Sequence, residues 1–218
     1  MKRHYTDINI VLDRSGSMQS IKADTIGGFN AFLQQQKETP GEATITLAQF
    51  DDVYDVVYRA IPLSHAPDLN DHTFVPRAST ALLDAIGRTI NETGARLAKM
   101  LERDRPSHVI FVILTDGEEN SSREFTSQQI NQMIRHQREV YQWEFVFLGA
   151  NQDAITTASQ LGMSGGQALT YAASPQGTQA AFKAMSKNLS RFRGGEAAAL
   201  EFSDADRQAQ VDAGLDKD

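Results

Sequence analysis

Residues 108 to 115 read HVIFVILT, an almost unbroken run of apolar and β-branched side chains. A strand with one wet face alternates apolar and polar positions, whereas this run predicts a strand buried on both faces. Such a strand needs a layer of helices on each side of its sheet. The rest of the chain offers them, because short β-rich runs alternate with longer amphipathic ones. The pattern predicts a three-layer, doubly wound α/β fold with a mainly parallel central sheet.

The spacing assigns the elements in turn. A first strand is expected over about Asp7 to Leu12, after which Ile21, Thr25, Phe29, Phe32 and Leu33 follow helical spacing until TPG at 39 to 41. ATITLAQF (43 to 50) and VYDVVYRAI (53 to 61) are parted only by Asp51 and Asp52. That gap permits a hairpin and no crossover helix, so one of the two strands should run antiparallel at an edge. A long helix is expected from about Ser79 to Leu101, with Leu83, Ile86, Ile90, Leu97 and Leu101 on its apolar side. Thr126 and Gln129 suit a capping box opening a helix to about Val140. WEFVFLGA (143 to 150) reads as a second buried strand, followed by a short helix ending at Gly162, and QALTYAA (167 to 173) as the last strand. Ser174 and Pro175 suit the N-cap and first turn of a helix whose core face is Phe182, Met185, Leu189 and Phe192, closed by Gly194 and Gly195. The expected organisation is one domain over 1–193 and an acidic C-terminal extension over 194–218. The extension reads as helical around EAAALEFSDADRQAQ or as disordered.

At 218 residues the chain can bury a substantial core. Its net charge of −7 is concentrated in residues 196 to 218, where seven acidic residues face only Arg207 and Lys217. The remainder is near neutral and offers no broad basic face for nucleic acid. Cysteine is absent, which excludes disulfides, thiolate chemistry and cysteine-ligated zinc. No run approaches the roughly 18 apolar residues of a membrane span, and the opening MKRHYTDINIVLDRSG lacks the apolar core of a secretory signal. A cytoplasmic protein is therefore expected. The five histidines, His4, His65, His72, His108 and His136, show no metal-binding spacing and read as structural or surface residues.

Ligands of parallel α/β sheets bind beyond the carboxyl ends of the strands, so polar residues should gather there if a site exists. VLDRSGSMQS (11 to 20) places Asp13, Ser15 and Ser17 at alternate positions behind the first strand. On an extended segment their oxygens point to one side, which suits a small cation. Asp116 leaves the most apolar strand in VILTDGEEN, and Thr80 stands at the start of the long helix in RASTALLDAIG.

In order and approximate spacing, DRSGSM, STALLDAIG and VILTDGEEN resemble the three segments of von Willebrand factor A domains that form a metal-ion-dependent adhesion site. The likeness spans roughly residues 5 to 190 and implies a Rossmann-like fold of the bacterial and phage single-domain type. It further implies Ser15, Ser17 and Thr80 as hydroxyl ligands, with Asp13 and Asp116 holding the ion directly or through water. Mg²⁺ or Mn²⁺ is the implied ion, since all five residues are hard oxygen donors. With only two carboxylates among the donors, the ion would stay electrophilic towards an incoming anion, such as a carboxylate of a partner protein. RAST departs from the pattern, because the family often has a glycine in the segment before this threonine.

A metal-dependent protein–protein interaction module is thus expected, binding an acidic residue of its partner and catalysing nothing. One alternative is a Mg²⁺-dependent phosphohydrolase with Asp13 as nucleophile. Haloacid-dehalogenase-like enzymes, however, carry a second aspartate where this chain has Ser15. The other alternative is an architectural subunit of a larger ATPase, phage or stress-response assembly; the chain has no GxxxxGK[ST] loop, so ATP hydrolysis would belong to a partner. Asp51, Asp52, Glu118, Glu119 and Asn120 are further candidates for the rim of the site, as are Asn151 and Asp153 of GANQDA. Apart from the resemblance, Ser15 and Ser17 could simply cap a helix. DADRQAQVDAG in the tail lacks the sixth-position glycine and closing glutamate of a calcium loop.

Overall fold

The computed structural model describes residues 1–150 and 153–215. Among these, six strands form one sheet: β1 (Lys2–Asp13), β2 (Glu42–Phe50), β3 (Tyr54–Pro62), β4 (Pro106–Thr115), β5 (Glu144–Ala150) and β6 (Ala168–Tyr171), in the order β3-β2-β1-β4-β5-β6. All neighbours are parallel except β2 and β3, whose antiparallel pairing starts at Phe50 opposite Tyr54. The short turn at residues 51–53, one residue longer than the sequence suggested, makes the expected hairpin, and β3 is the antiparallel edge.

Helices α1 (Lys22–Glu38) and α5 (Pro175–Arg193) cover one face, and α2 (Leu82–Ala98), α3 (Ser127–Tyr141) and α4 (Ala154–Gln160) cover the other. The central strand β4 explains why both layers are needed. Ile110, Val112 and Leu114 pack with Phe29, Phe32, Phe182 and Leu189, while Val109, Phe111 and Ile113 pack with Ile86, Ile90, Ile130 and Ile134. Each face buries side chains worth roughly 1.5–3 kcal/mol apiece, so neither can be left bare. Both expected caps are present. Thr126 and Gln129 form a reciprocal capping box, and the Ser174 side chain accepts from the Gly177 N–H with Pro175 in the first turn. No helix among the described residues is long and apolar enough to cross a membrane.

Three local expectations change. β1 starts at Lys2, because the polar opening residues find a partner at the start of β4, with Lys2 opposite Pro106 and an irregularity before Thr6. α2 spans only Leu82–Ala98, which leaves Thr80 in the preceding loop and Leu101 60% exposed. In the tail, α6 (Asp204–Asp212) opens at a capping box of Ser203 and Asp206, while residues 196 to 203 are not helical. Leu200 and Phe202 alternate inward and are buried, and the Phe202 N–H donates to Gly166 O at 2.9 Å. Two residues apart is the spacing of an extended segment. A helix would have carried one of these side chains away from the core.

Candidate functional site

β1 and β4 are adjacent and parallel, with Leu12 opposite Leu114, so the residues that follow them emerge side by side at one end of the sheet. Asp13 is fully buried there. Its Oδ1 accepts from the Ser15 N–H at 2.6 Å and its Oδ2 from Thr115 Oγ1 at 2.5 Å. Ser15 Oγ and Ser17 Oγ lie 3.2 Å apart, and Ser17 Oγ donates to Asp116 Oδ1 at 2.6 Å. Thr80 arrives from the far side of the same space: a Cβ placed on Gly117 would stand 2.8 Å from Thr80 Oγ1 and 3.6 Å from both serine hydroxyls. All five residues singled out in the sequence thus converge, around a hollow that glycine at 117 leaves open. Ser15 occupies the N-cap position of a short 3-10 turn (Gly16–Ile21) but its side chain makes no capping bond, so capping does not account for it.

The donors fit a hard divalent cation. Two carboxylates face three neutral hydroxyls, and among the described residues no Lys, Arg or His lies within salt-bridge distance of Asp13 or Asp116. Burial pushes the Asp13 carboxyl up to about 6, against the hydrogen bonds from Thr115 and Ser15 and helped by the Asp116 charge. Asp116 is also raised by burial, with the Ser17 bond opposing. A buried carboxylate lacking a counter-charge is costly, and a cation in the hollow would supply that charge. No group of three or more His, Cys, Asp or Glu capable of holding a metal occurs among the described residues. Any ion here must therefore use the hydroxyls as well, and oxygen donors of this kind suit Mg²⁺ or Mn²⁺.

The surrounding loops hold these groups in register. Asn120 Oδ1 accepts from the Thr80 N–H at 2.9 Å, and the N–H groups of Asn120 and Ser121 donate to Thr80 O at 3.1 and 3.2 Å. The Glu119 carboxylate accepts from the Leu83 and Ser122 N–H groups, and Asp84 accepts from three successive N–H groups, those of Arg123, Glu124 and Phe125. The loop bearing Asp116 and the segment bearing Thr80 are therefore laced into one unit. On the opposite side the Gly16 N–H donates to Ala78 O at 3.1 Å, and the Arg77 N–H to Arg14 O at 2.8 Å. Ala78, in the RAST segment, has φ of 56°, a left-handed conformation that favours glycine. The family's usual glycine is absent, yet the backbone still makes the turn.

Asp51 does not face the hollow. It is fully buried and accepts from Arg14 Nε at 2.9 Å, Arg77 Nε at 2.8 Å and the Val53 N–H at 2.7 Å. Burial alone would raise its carboxyl, but the bonds from Arg77 and Val53 and the charge of Arg14 hold it below the usual range. It is a strut between three loops. Glu119 and Asn120 likewise brace the loops, whereas Asp52 and Glu118 are exposed. Asp153 caps α4, accepting from the Thr156 N–H at 2.9 Å, and Asn151 lies outside the described residues. Thr115, which binds both Asp13 and Gly117, was hidden in the sequence as the last residue of an apolar strand. Of the histidines, His108 packs edge-on against Phe192.

No protein-family model and no curated protein matches the chain. Solved structures do. Proximal thread matrix protein 1 from the mussel byssus, with a zinc-occupied MIDAS motif, superposes with a TM-score of 0.60 at 14% identity, over 82% of this chain and 46% of that one. The pilus adhesin SpaC from Lactobacillus rhamnosus GG gives 0.64 at 14% identity, over 88% and 30%. The vWF domain of the type V pili tip protein Mfa5 from Porphyromonas gingivalis gives 0.60 at 10% identity, over 84% and 94%. The chain thus spans under half of the mussel and Lactobacillus proteins and matches nearly the whole Porphyromonas domain. Likeness at such low identity is likeness of fold, and it agrees with the strand order and antiparallel edge described above: the chain has the von Willebrand factor A fold.

Proposed function

We propose that the chain is a metal-dependent interaction module that binds a partner protein through a Mg²⁺ or Mn²⁺ ion held by Asp13, Ser15, Ser17, Thr80 and Asp116. The observation that carries this reading is the convergence of three hydroxyls and two carboxylates on a hollow where, among the described residues, no Lys, Arg or His comes within salt-bridge distance of either carboxylate. The zinc-occupied MIDAS motif of the mussel protein and the pilus adhesins among the similar structures support it by analogy. Asp13 would anchor the site from below, oriented by Thr115 and the Ser15 N–H, while Asp116 would hold the outer side. The ion would supply a Lewis-acidic position for an incoming anion. With few charged donors around it, a glutamate or aspartate carboxylate from the partner is the matching ligand. Residues 1–193 would form the module and 194–218 its extension.

A phosphohydrolase reading fares worse on geometry. The Asp13 carboxylate is fully buried, which keeps it from an incoming phosphoester, and Ser15 stands where a proton-donating second aspartate would be needed. An architectural subunit would use the same chemistry within a larger assembly, and the partner decides between them. The test is capture from host lysate with tagged protein in Mg²⁺, in EDTA, and with Asp116→Ala, with retained proteins read by mass spectrometry. A protein retained only by the unaltered chain in Mg²⁺ is the expected result. Identical capture in all three arms would contradict the reading.

A further inference from the structure

Asp51 stands just past β2 and holds two of the segments that line the hollow without facing it. Its Oδ2 alone accepts from Arg14 Nε at 2.9 Å and from Arg77 Nε at 2.8 Å, while its backbone carbonyl accepts from the Ala81 N–H at 2.9 Å. Arg14 lies between Asp13 and Ser15, and the stretch from Arg77 to Ala81 carries Thr80. One buried residue thus grips both the loop that bears Ser15 and Ser17 and the segment that bears Thr80. The backbone bonds from Arg77 to Arg14 and from Gly16 to Ala78 close the same seam. On its other side Thr80 is tied to the Asp116 loop through Asn120, so any widening between Thr80 and the two serines is concentrated at this seam.

Stability alone is a poor reason for such an arrangement. The Arg14 side chain is 8% exposed, its Nη2 is buried with no partner among the described residues, and its Nη1 reaches only the exposed Asp55 at 3.2 Å. Apolar residues of equal volume often stabilise a fold as well as a buried ion pair does; what the ions add here is one fixed geometry. That geometry bears on ion size. Oxygen ligands stand at about 2.0–2.1 Å from Mg²⁺ and about 2.3–2.6 Å from Ca²⁺, and Mg²⁺ demands the stricter arrangement. Admitting Ca²⁺ therefore moves Ser15 and Ser17 away from Thr80. Because Arg14 and Arg77 share one oxygen of Asp51, their segments part only by stretching a buried, charge-assisted hydrogen bond.

We infer that Asp51 is a positioning residue: through Arg14 and Arg77 it fixes the width of the hollow and makes the site favour Mg²⁺ over the larger Ca²⁺. The inference rests on the metal centre proposed above and adds to it the device that sets the size of the ion.

The test is isothermal titration of Mg²⁺ and of Ca²⁺ into the full chain and into Arg77→Met, Asp51→Asn and Asp7→Asn, with thermal unfolding of each run alongside. Arg77→Met cuts one of the two grips, and since that side chain is 57% exposed the variant should fold even if Asp51→Asn, which loosens both, does not. Asp7→Asn is the control, because it breaks another buried ion pair, with Arg96, on β1 about 20 Å short of Asp13. Mg²⁺ and Ca²⁺ carry the same charge, so the ratio of their dissociation constants cancels the change in local charge that each variant makes. The unaltered chain is expected to bind Mg²⁺ the more tightly. That preference should fall about threefold in Arg77→Met and about tenfold in Asp51→Asn, and hold in Asp7→Asn although this variant melts lower. A ratio unchanged in both Arg77→Met and Asp51→Asn, an equal shift in Asp7→Asn, or tighter binding of Ca²⁺ by the unaltered chain would overturn the inference and leave the metal centre standing. No binding of either ion by the unaltered chain would overturn both.

Discussion

Ala78→Gly should make the protein more stable, an uncommon direction for a substitution beside a functional site. Ala78 holds φ of 56°, where an L-residue with a Cβ carries a strain of about 1–2 kcal/mol. Its side chain is exposed, so losing the methyl group forfeits little burial. Glycine is freer in the unfolded chain, which takes back about 0.4–1 kcal/mol. The net gain is then about 0.5–1 kcal/mol, or about 1 to 4 °C in Tm for a domain of this size. Urea unfolding is the cleaner assay, because a shift in midpoint at constant m isolates stability from changes in compactness. The carbonyl that accepts from Gly16 is retained in the variant, so Mg²⁺ affinity should stay within about twofold. A midpoint lower than that of the unaltered chain would refute the strain assignment and mean that the Ala78 Cβ makes a stabilising contact.

Asp51→Ala strands Arg14, whose side chain is 8% exposed, with only the exposed Asp55 for company, and should cost about 3–5 kcal/mol in the same assay. Since the Asp51 carboxyl is held below the ordinary range, its contribution is whole above pH about 4 and is lost as pH falls through the lower folded value; Asp51→Asn should flatten that acid limb in unfolding curves taken between pH 2 and 7. Asn120→Ala removes the acceptor for the Thr80 N–H and should weaken Mg²⁺ binding by about 10–100-fold in calorimetry, whereas Asn120→Asp, which keeps that oxygen, should restore most of it. Gly117→Ala thrusts a methyl to within 2.8 Å of Thr80 Oγ1 and should abolish Mg²⁺-induced thermal stabilisation while circular dichroism stays native.

Legibility tracked how locally each feature is determined. The unbroken run in β4, the short gap before β3 and the Thr126–Gln129 box are short-range signals, and each produced the element expected of it. The convergence of the candidate site was readable for a different reason: Asp13, Ser15 and Ser17 form a compact pattern, and Thr80 and Asp116 sit in segments with a known likeness. What stayed hidden depends on distant partners. Asp51 looked like a rim ligand because it follows a strand, and only its burial against Arg14 and Arg77, brought in from 37 and 26 residues away, makes it a strut. The stretch 196 to 203 is alanine-rich and reads as helix, yet burial of Leu200 and Phe202 against the turn before β6 overrides that propensity. Leu101 kept the helical period but lies beyond the point where α2 ends.

Isothermal titration of Mg²⁺ and Mn²⁺ into the full chain and into Asp116→Ala tests the proposed metal centre most directly, with thermal unfolding of both proteins run alongside. Asp116 is a half-buried rim carboxylate that fills no core volume, so the variant should melt with the unaltered protein. One binding site is expected in the unaltered chain and no measurable binding in the variant. Equal affinity in the two proteins, or no binding in either, would contradict the proposed centre.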